Sequence, residues 1–256
     1  MIDASSHAAA VSAKSGRTPP GFIVEGSARF GDEQLFPKLR LEVKAGAWTS
    51  LLGPSGVGKT TLLRLVAGLD AACTFEGAIR VSDGRSLEQR VAYMGQSDLL
   101  APWLDVLGNV TLGQKLRGDA PDVDRALTLI GRVGLSAHIY KRPHALSGGE
   151  RQRAALARTL MEDRPVVLLD EPFSSLDANT RADMQELAGE LLRGKTVLLV
   201  THDPTDAVRL SHRIYLMGGR GLSEMSPPSS DPVRPFDDPD VLAAQADMLR
   251  RLRSDP

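Results

Sequence analysis

The sequence predicts an α/β fold in which a parallel sheet carries two additions, an antiparallel β subdomain and an inserted helical subdomain. Residues 166–169 and 197–200 are apolar throughout, which is typical of strands buried on both faces of a parallel sheet. Residues 22–26 and 39–44 alternate apolar and polar side chains, which predicts half-buried antiparallel strands. Helical patterns fill the block from about residue 98 to residue 158.

The composition narrows the class of protein. A chain of 256 residues with 42% hydrophobic and 25% charged residues can form one large globular domain or two small ones. The net charge of −1 gives no bulk attraction to nucleic acid or to an anionic membrane, so no nucleic-acid partner is expected. The single cysteine, Cys73, allows no intrachain disulfide and fits a reducing compartment. No apolar run is long enough to cross a bilayer, and no secretory signal is recognised.

The chain is expected to have three parts. Residues 1–21 are rich in Ala, Ser, Gly and Pro, and we expect them to form a disordered arm. Residues 22–220 are expected to form the main domain. In the remaining part, 221–256, the four prolines between residues 221 and 236 predict a loop. The run Asp238-Pro239-Asp240 then predicts the start of a short amphipathic helix.

Three helices are predicted in the middle of the chain. The first covers residues 106–116. The second starts near Pro121 and ends at Gly134, and the third covers residues 149–161. The predicted buried residues are Val123, Leu127 and Ile130 in the second helix and Ala155, Leu156 and Leu160 in the third.

The stretch from residue 53 to residue 60 matches the phosphate-binding pattern G-x-x-x-x-G-K-[ST] at every fixed position. A predicted strand at 48–52 precedes it and a helical pattern at 61–68 follows, which is the context that the pattern requires. Glycines let backbone N–H groups turn toward a phosphate chain, and a helix N-terminus favours negative charge. The alternative is a glycine turn that binds nothing. The predicted nucleotide contacts are Gly53, Pro54, Ser55, Gly56, Val57, Gly58, Lys59, Thr60 and Thr61.

Within this loop, Lys59 is expected to reach the β- and γ-phosphates, and the Thr60 hydroxyl is expected to bind Mg²⁺. Asp170 and Glu171 follow the apolar run 166–169 and supply the second half of such a site. An acid at the end of a buried strand can bind Mg²⁺ through a water, and we assign that role to Asp170. Glu171 is then placed to orient the attacking water and accept its proton. The alternative is a pair of surface acids in a turn.

A second phosphate cradle is predicted at Ser147, Gly148, Gly149 and Glu150, directly before a helix. A hydroxyl, free N–H groups and a helix N-terminus together favour an anion. One chain seldom needs two cradles for one ATP, so the second is expected to cover the γ-phosphate of an ATP held by another subunit. A serine cap followed by a tight glycine turn is the alternative.

These residues together resemble the ATP-binding subunit of an ATP-binding cassette (ABC) transporter, over roughly residues 22–220. The resemblance implies a P-loop NTPase core of the ABC ATPase type that hydrolyses ATP with Mg²⁺. The matching motifs are Walker A at 53–60, the Q-loop glutamine Gln96, the signature motif at 146–150, Walker B at 166–171, the D-loop at 174–177 and the switch histidine His202.

The resemblance also implies roles for single residues. Gln96 is expected to contact Mg²⁺ and the attacking water, and His202 to contact the γ-phosphate. Asp177 is expected at the interface of a homodimer that sandwiches two ATP molecules. Phe30 is the candidate for stacking on adenine, with Phe36 as its alternative. Taken singly, Gln96 could be a solvated loop residue and His202 a structural histidine.

The sequence departs from the family pattern in three places, none of which removes a catalytic group. Glu150 stands where Gln is commoner and adds a negative charge near the expected dimer interface. The segment between Walker A and Gln96 is short, with Cys73-Thr-Phe-Glu where a Gly/Pro turn is frequent. Ser97 separates Gln96 from Asp98, where an acid often follows directly.

Residues 99–110 resemble a stretch in the ATP-binding subunits of the nitrate, sulfonate and taurine importers. Thiamine-precursor importers share this sequence pattern. The resemblance implies a separate transmembrane permease that contacts the Pro102-Trp103 segment. It also implies a periplasmic or lipoprotein solute-binding protein and a place at the cytoplasmic face of the inner membrane, held by the permease. The expected solute is a small organic anion such as a sulfonate or a nitrate-like ion. The alternatives are a soluble ABC ATPase of DNA repair or translation, an exporter ATPase, and a cassette that binds ATP only to regulate.

Overall fold

The computed structural model describes residues 18–254, which form two sheets and a set of helices. The strands are β1 Phe22–Phe30, β2 Glu33–Val43, β3 Trp48–Leu52, β4 Thr74–Val81, β5 Val91–Met94, β6 Val166–Asp170, β7 Thr196–Val200, β8 Arg213–Gly218 and β9 Gly221–Met225. The helices are α1 Lys59–Val66, α2 Val106–Val110, α3 Leu112–Leu116, α4 Val123–Arg132, α5 Gly148–Met161, α6 Ala178–Leu191, α7 Pro204–Leu210 and α8 Pro239–Ser254. The α/β prediction is confirmed.

The larger sheet has six strands in the order β5-β6-β7-β3-β8-β9. The first five strands of this order run parallel to their neighbours, and β9 runs antiparallel to β8. Every residue of β3, β6 and β7 is buried, as the apolar runs predict for strands covered on both faces. These three strands therefore form the centre of the core.

The smaller sheet is antiparallel, with the strand order β2-β1-β4. Along β1 the first seven residues alternate between buried and half-buried, which confirms the predicted amphipathic pattern. The buried side chains, among them Val24 and Leu41, share one hydrophobic cluster with Leu62 and Leu63 of α1 and with Leu51 of β3. This sheet therefore packs over the helix that follows the phosphate-binding loop.

The helices α2 to α5 make up the inserted helical region. The helix predicted at 106–116 is two short helices, because the chain breaks at Thr111, which ends α2 and begins α3. In α5 the predicted buried residues are confirmed. In α4 the prediction is partly wrong: Ile130 is buried, but Val123 and Leu127 are exposed. The buried stripe of this helix is Ala126, Leu129 and Ile130, and with the C-cap residue Val133 it joins the cluster that contains α5.

The ends of the chain also differ in detail from the prediction. Residues 1–17 of the expected arm at 1–21 lie outside the described residues, whereas Pro20 and Gly21 are buried. Gly21 is fixed to Ser82, whose backbone N–H donates to the Gly21 carbonyl at 2.9 Å. The predicted loop at 221–236 begins with β9, because β8 leaves an open edge that these residues pair with. The C-terminal helix is confirmed as α8. Between residues 18 and 254, no helix is long and apolar enough to cross a membrane.

Candidate functional site

The candidate site lies where three adjacent strands of the large sheet end. The strands β6, β7 and β3 are neighbours and run parallel, so their carboxyl ends lie on one edge of the sheet. Asp170 ends β6, His202 follows β7, and the phosphate-binding loop follows β3. Ligands of open α/β sheets bind at this edge. Residues that are far apart in the sequence therefore come together here.

The loop between β3 and α1 has the backbone geometry of an anion cradle. Gly56 and Gly58 adopt left-handed conformations, with φ of +83° and +103°, which place their N–H groups in directions that L-residues rarely allow. A Cβ atom on Gly53 would lie 2.2 Å from the Met217 carbonyl oxygen, so only glycine fits there. Pro54 and Ser55 at the tip are exposed. The loop can therefore present several backbone donors to one phosphate chain.

The Lys59 side chain is buried beneath this loop and carries its positive charge toward the sheet edge. Its Nζ donates to the carbonyl oxygens of Gly53 at 2.8 Å and Pro54 at 2.9 Å. Burial lowers the pKa of Lys59, and the charges of Glu171 and Asp170 oppose that shift. The lysine thus has fixed partners on one side and two acids on the other. A phosphate would complete its coordination.

Asp170 has the character of a metal ligand. It is 1% exposed, and neither carboxylate oxygen has a hydrogen-bond partner in the described chain. Burial raises its pKa to about 6, with the Glu171 charge adding to the shift and the nearby Thr60 and Lys59 opposing it. An orphaned buried carboxylate beside a threonine hydroxyl is a donor set that suits Mg²⁺. The residues present therefore fit a divalent cation.

Glu171 is held in a left-handed conformation, with φ of +52°. Its backbone N–H donates to the Val200 carbonyl at 2.9 Å, which ties it to the end of β7. Its carboxylate lies 2.7 Å from Nδ1 of His202, whose side chain is largely exposed. The pair places a carboxylate and an imidazole side by side at the mouth of the site. Such a pair can orient a water and exchange a proton with it.

Ser147 caps α5 in a reciprocal arrangement with Glu150. The Ser147 hydroxyl accepts the Glu150 N–H at 3.2 Å, and the Glu150 carboxylate accepts the Ser147 N–H at 2.7 Å. The other carboxylate oxygen of Glu150 lies 3.0 Å from Nδ1 of His138. The Ser147 N–H bond lowers the pKa of Glu150, and the charges of His138 and Lys141 add to this. The negative charge that departs from the family pattern is thus satisfied inside its own loop, and the Ser147 hydroxyl proton remains available to a phosphate.

The signature loop and the phosphate-binding loop do not meet within one chain. Among residues 18–254, no hydrogen bond or ion pair joins residues 147–150 to residues 53–60. Ser147 and Gly148 are exposed and directed to solvent. The tight contact of this loop is with the D-loop, since a Cβ on Gly149 would lie 3.3 Å from the Ser175 carbonyl oxygen.

The remaining predicted residues lie on three separate elements. Asp177 caps α6 by accepting the Thr180 N–H at 3.1 Å, and hydrogen bonds from Thr180 lower its pKa. Gln96 is exposed just after β5. Phe30 ends β1 with 42% of its surface exposed, whereas Phe36 is buried. Of the two aromatic residues, Phe30 is therefore the accessible one.

The sequence did not predict the buried hydrogen bonds that the side chains of Gln152 and Asn109 make. Gln152 of α5 donates to the Glu171 carbonyl at 2.8 Å. Asn109 accepts the Ala101 N–H at 2.7 Å and donates to the carbonyls of Ala101, Leu104 and Asp105 at 3.0–3.2 Å. These hydrogen bonds are known only once the partners are seen in the structure. A polar residue among the apolar positions of a helix was the one sequence signal that pointed to them.

Comparison with known proteins places the chain in a family. The family model described as "ABC transporter" matches residues 36–174. An ABC transporter ATP-binding protein of Haemophilus influenzae is 41% identical over 88% of this chain and 95% of its own length. The aliphatic sulfonates import ATP-binding protein SsuB 1 of Rhodococcus jostii is 44% identical over 76% of this chain and 78% of its own.

Solved structures agree with this placement. The dimeric ATP-binding cassette MJ0796, in a post-hydrolysis state bound to ADP and Pi, is 28% identical. It superposes with a TM-score of 0.72 over 84% of this chain and 100% of its own. A second dimeric structure of the same cassette gives a TM-score of 0.71. The chain therefore belongs to the ABC transporter family, as an ATP-binding subunit that hydrolyses ATP.

Proposed function

We propose that this chain drives the uptake of a small organic anion, such as a sulfonate, through a separate transmembrane permease. The relatives from Rhodococcus jostii and Paracoccus denitrificans are both described as aliphatic sulfonate import proteins, and the second is 39% identical over 91% of this chain. A periplasmic or lipoprotein solute-binding protein completes the proposed complex. The chain itself then lies at the cytoplasmic face of the inner membrane, held by the permease.

The observation that carries the proposal is an exposed, rigid aromatic segment in the helical region. Trp103 is 71% exposed and Leu99 is 61% exposed. The loop that carries them is fixed from beneath by the four hydrogen bonds of Asn109. An exposed tryptophan on a fixed backbone is typical of a protein-binding surface. We assign this segment to the permease contact.

The proposed catalytic cycle uses two copies of the chain and two ATP molecules. Each ATP lies between the 53–61 loop of one copy and the 147–150 loop of the other, which explains why the two loops are separate within one chain. Lys59, the loop amides and the Ser147 hydroxyl stabilise charge on the transferring phosphoryl group. Phe30 stacks on adenine, and Asp177 lies between the two sites.

The remaining roles follow from the sheet edge. Thr60, Asp170 and Gln96 would hold Mg²⁺, which would supply positive charge against the phosphates. Glu171 orients the attacking water and accepts its proton, and His202 steadies the γ-phosphate from the adjacent strand end. The 2.7 Å contact between Glu171 and His202 supports this division, because it holds both groups at one point.

The dimer mechanism is tested by Glu171→Gln, which keeps the shape of the side chain and removes its basicity. The variant should bind ATP with Mg²⁺, fail to hydrolyse it and accumulate as an ATP-bound dimer. Size-exclusion chromatography with analysis of the bound nucleotide measures this. A variant that stays monomeric at saturating ATP, even with its permease, contradicts the sandwich mechanism.

The transport assignment is tested by mild-detergent pull-down of the tagged chain from native membranes. Recovery of a multi-span permease supports it, and uptake assays with sulfonates then test the solute. Recovery only of ribosomal or DNA-bound material leaves the ATPase chemistry intact and contradicts transport. An exporter is distinguished by the direction of solute movement in vesicles.

A further inference from the structure

Gln152 forms a buried bridge between the helix of the signature motif and the proposed catalytic acid. It lies on α5, two residues after Glu150, and its side chain is buried. The amide Nε2 donates to the Glu171 carbonyl at 2.8 Å and to the Ser174 hydroxyl at 3.3 Å. The amide Oε1 accepts the Ser175 N–H at 2.8 Å. One side chain therefore fastens three groups of the turn that follows β6.

Glu171 needs such support because of its backbone conformation. A non-glycine residue with φ of +52° is in a sparsely populated region, which persists only where neighbouring groups hold it. The Val200 carbonyl fixes its N–H, and His202 contacts its carboxylate. The Glu171 carbonyl is fixed by Gln152 and, at 3.1 Å, by the Ser174 hydroxyl. Without Gln152, the downstream side of Glu171 keeps only bonds from within its own turn.

We propose that Gln152 is a positioning residue for ATP hydrolysis, which sets the direction of the Glu171 carboxylate by holding the Glu171 carbonyl against the signature helix. The proposal rests on the role of Glu171 proposed above. Ser147 caps the same helix five residues earlier, about 7.5 Å along the helix axis. Gln152 thus joins two parts of the chain. One is the signature loop, proposed to meet the ATP of the partner copy, and the other is Glu171, proposed to act on the ATP of its own copy.

Two substitutions separate the bonds that Gln152 makes. Gln152→Met keeps the length and packing of the side chain and removes all its hydrogen bonds. Gln152→Glu, when ionised, still accepts the Ser175 N–H but cannot donate to the Glu171 carbonyl; when protonated, it can donate again. Thr159→Val is the matched control, because it removes a buried hydrogen bond, from the Thr159 hydroxyl to the Ala155 carbonyl at 2.9 Å, two turns further along the same helix. Glu171→Gln is the reference variant, in which the proposed proton acceptor itself is removed.

The measurement is single-turnover ATP hydrolysis by the full chain, with the protein in excess over ATP. The rate is divided by the amount of ATP bound. We expect Gln152→Met to bind ATP with unchanged affinity and to hydrolyse it about tenfold to a hundredfold more slowly, as small misplacements of a catalytic group do. Gln152→Glu should be equally slow at pH 8 and should recover toward the wild-type rate as the pH falls. Thr159→Val should keep the wild-type rate per bound ATP.

Each other result has a definite meaning. A wild-type rate per bound ATP in Gln152→Met overturns the proposal. So does a wild-type rate for Gln152→Glu over the whole pH range in which the protein stays folded, because the bond to Ser175 would then be the one that matters. If Glu171→Gln itself hydrolyses ATP normally, the proposed role of Glu171 fails, and the bridge has nothing to position.

Discussion

Asp170→Asn should stabilise the nucleotide-free protein, although it removes a group proposed to bind Mg²⁺. The substitution keeps the size of the side chain and removes its charge. In the folded protein the pKa of Asp170 rises from 3.8 to about 6, and both oxygens are buried without partners. Since one pKa unit corresponds to about 1.36 kcal/mol, the buried charge costs about 3 kcal/mol of stability at neutral pH. Asparagine avoids that cost.

The pH dependence follows from the direction of the pKa shift. Between pH 3.8 and about 6, the folded protein keeps a proton on Asp170 that the unfolded chain has lost. Stability therefore falls as the pH rises through this window and is lowest, for this group, above pH 6. Asp170→Asn should be about 3 kcal/mol more stable than the wild type at pH 8, and about half of that gain should remain at pH 5.

The assay is thermal unfolding in EDTA without nucleotide. For a chain of this size, about 3 kcal/mol raises the midpoint by roughly 6–12 °C. The exposed Asp183→Asn on α6 is the control and should leave the midpoint unchanged. Adding Mg²⁺ and ATP should stabilise the wild type by about 2.7 kcal/mol at a hundredfold excess over Kd, and the variant by less. A variant that is no more stable than the wild type at pH 8 would refute the reasoning.

Three further substitutions test other contacts. Lys59→Ala should abolish single-turnover ATP hydrolysis, because it removes the charge held beneath the loop; near-normal turnover in a pure preparation would contradict the site. Trp103→Ala should prevent recovery of the permease by pull-down while ATP binding by the isolated chain is unchanged; undiminished recovery would move the contact elsewhere. Asn109→Ala should lower the free energy of unfolding, measured in urea, by about 3 kcal/mol, because it leaves buried backbone groups of the Trp103 loop without partners. A loss below about 0.5 kcal/mol, which is the level of ordinary surface changes, would show that other contacts hold the loop.

The sequence predicts those parts of this protein in which one local pattern has one stable outcome. A fully apolar run such as 197–200 has no amphipathic option, so it forms the buried strand β7. The 53–60 pattern is equally local, because its glycines and Lys59 act through the backbone of a single turn. The serine cap, given above as the alternative for residues 147–150, is local too, and the structure adds the reciprocal bond from Glu150.

The parts that sequence reasoning missed depend on partners far along the chain. β9 forms because the edge of β8 is open, which no property of residues 221–225 reveals. The two apolar stripes of α4 overlap, and contact with the core selects the one that contains Ala126 and Leu129 over the one that contains Val123 and Leu127. Gln152 could have been read as a solvated helix residue until its contact with Glu171, 19 positions away, was known.

The strand order has a consequence for how the protein is synthesised. The two sheet neighbours of β3 come late in the chain, since Trp48 pairs with Val197 and Thr49 with Arg213. At about 5–20 residues per second, the ribosome needs roughly 8–30 s to make the residues between β3 and these partners. The antiparallel sheet, which is complete at Val81, can form during that time. A nascent chain that already contains both phosphate cradles therefore still lacks the strands of the parallel sheet that pair with β3. It should bind nucleotide only after residue 200 has left the ribosome.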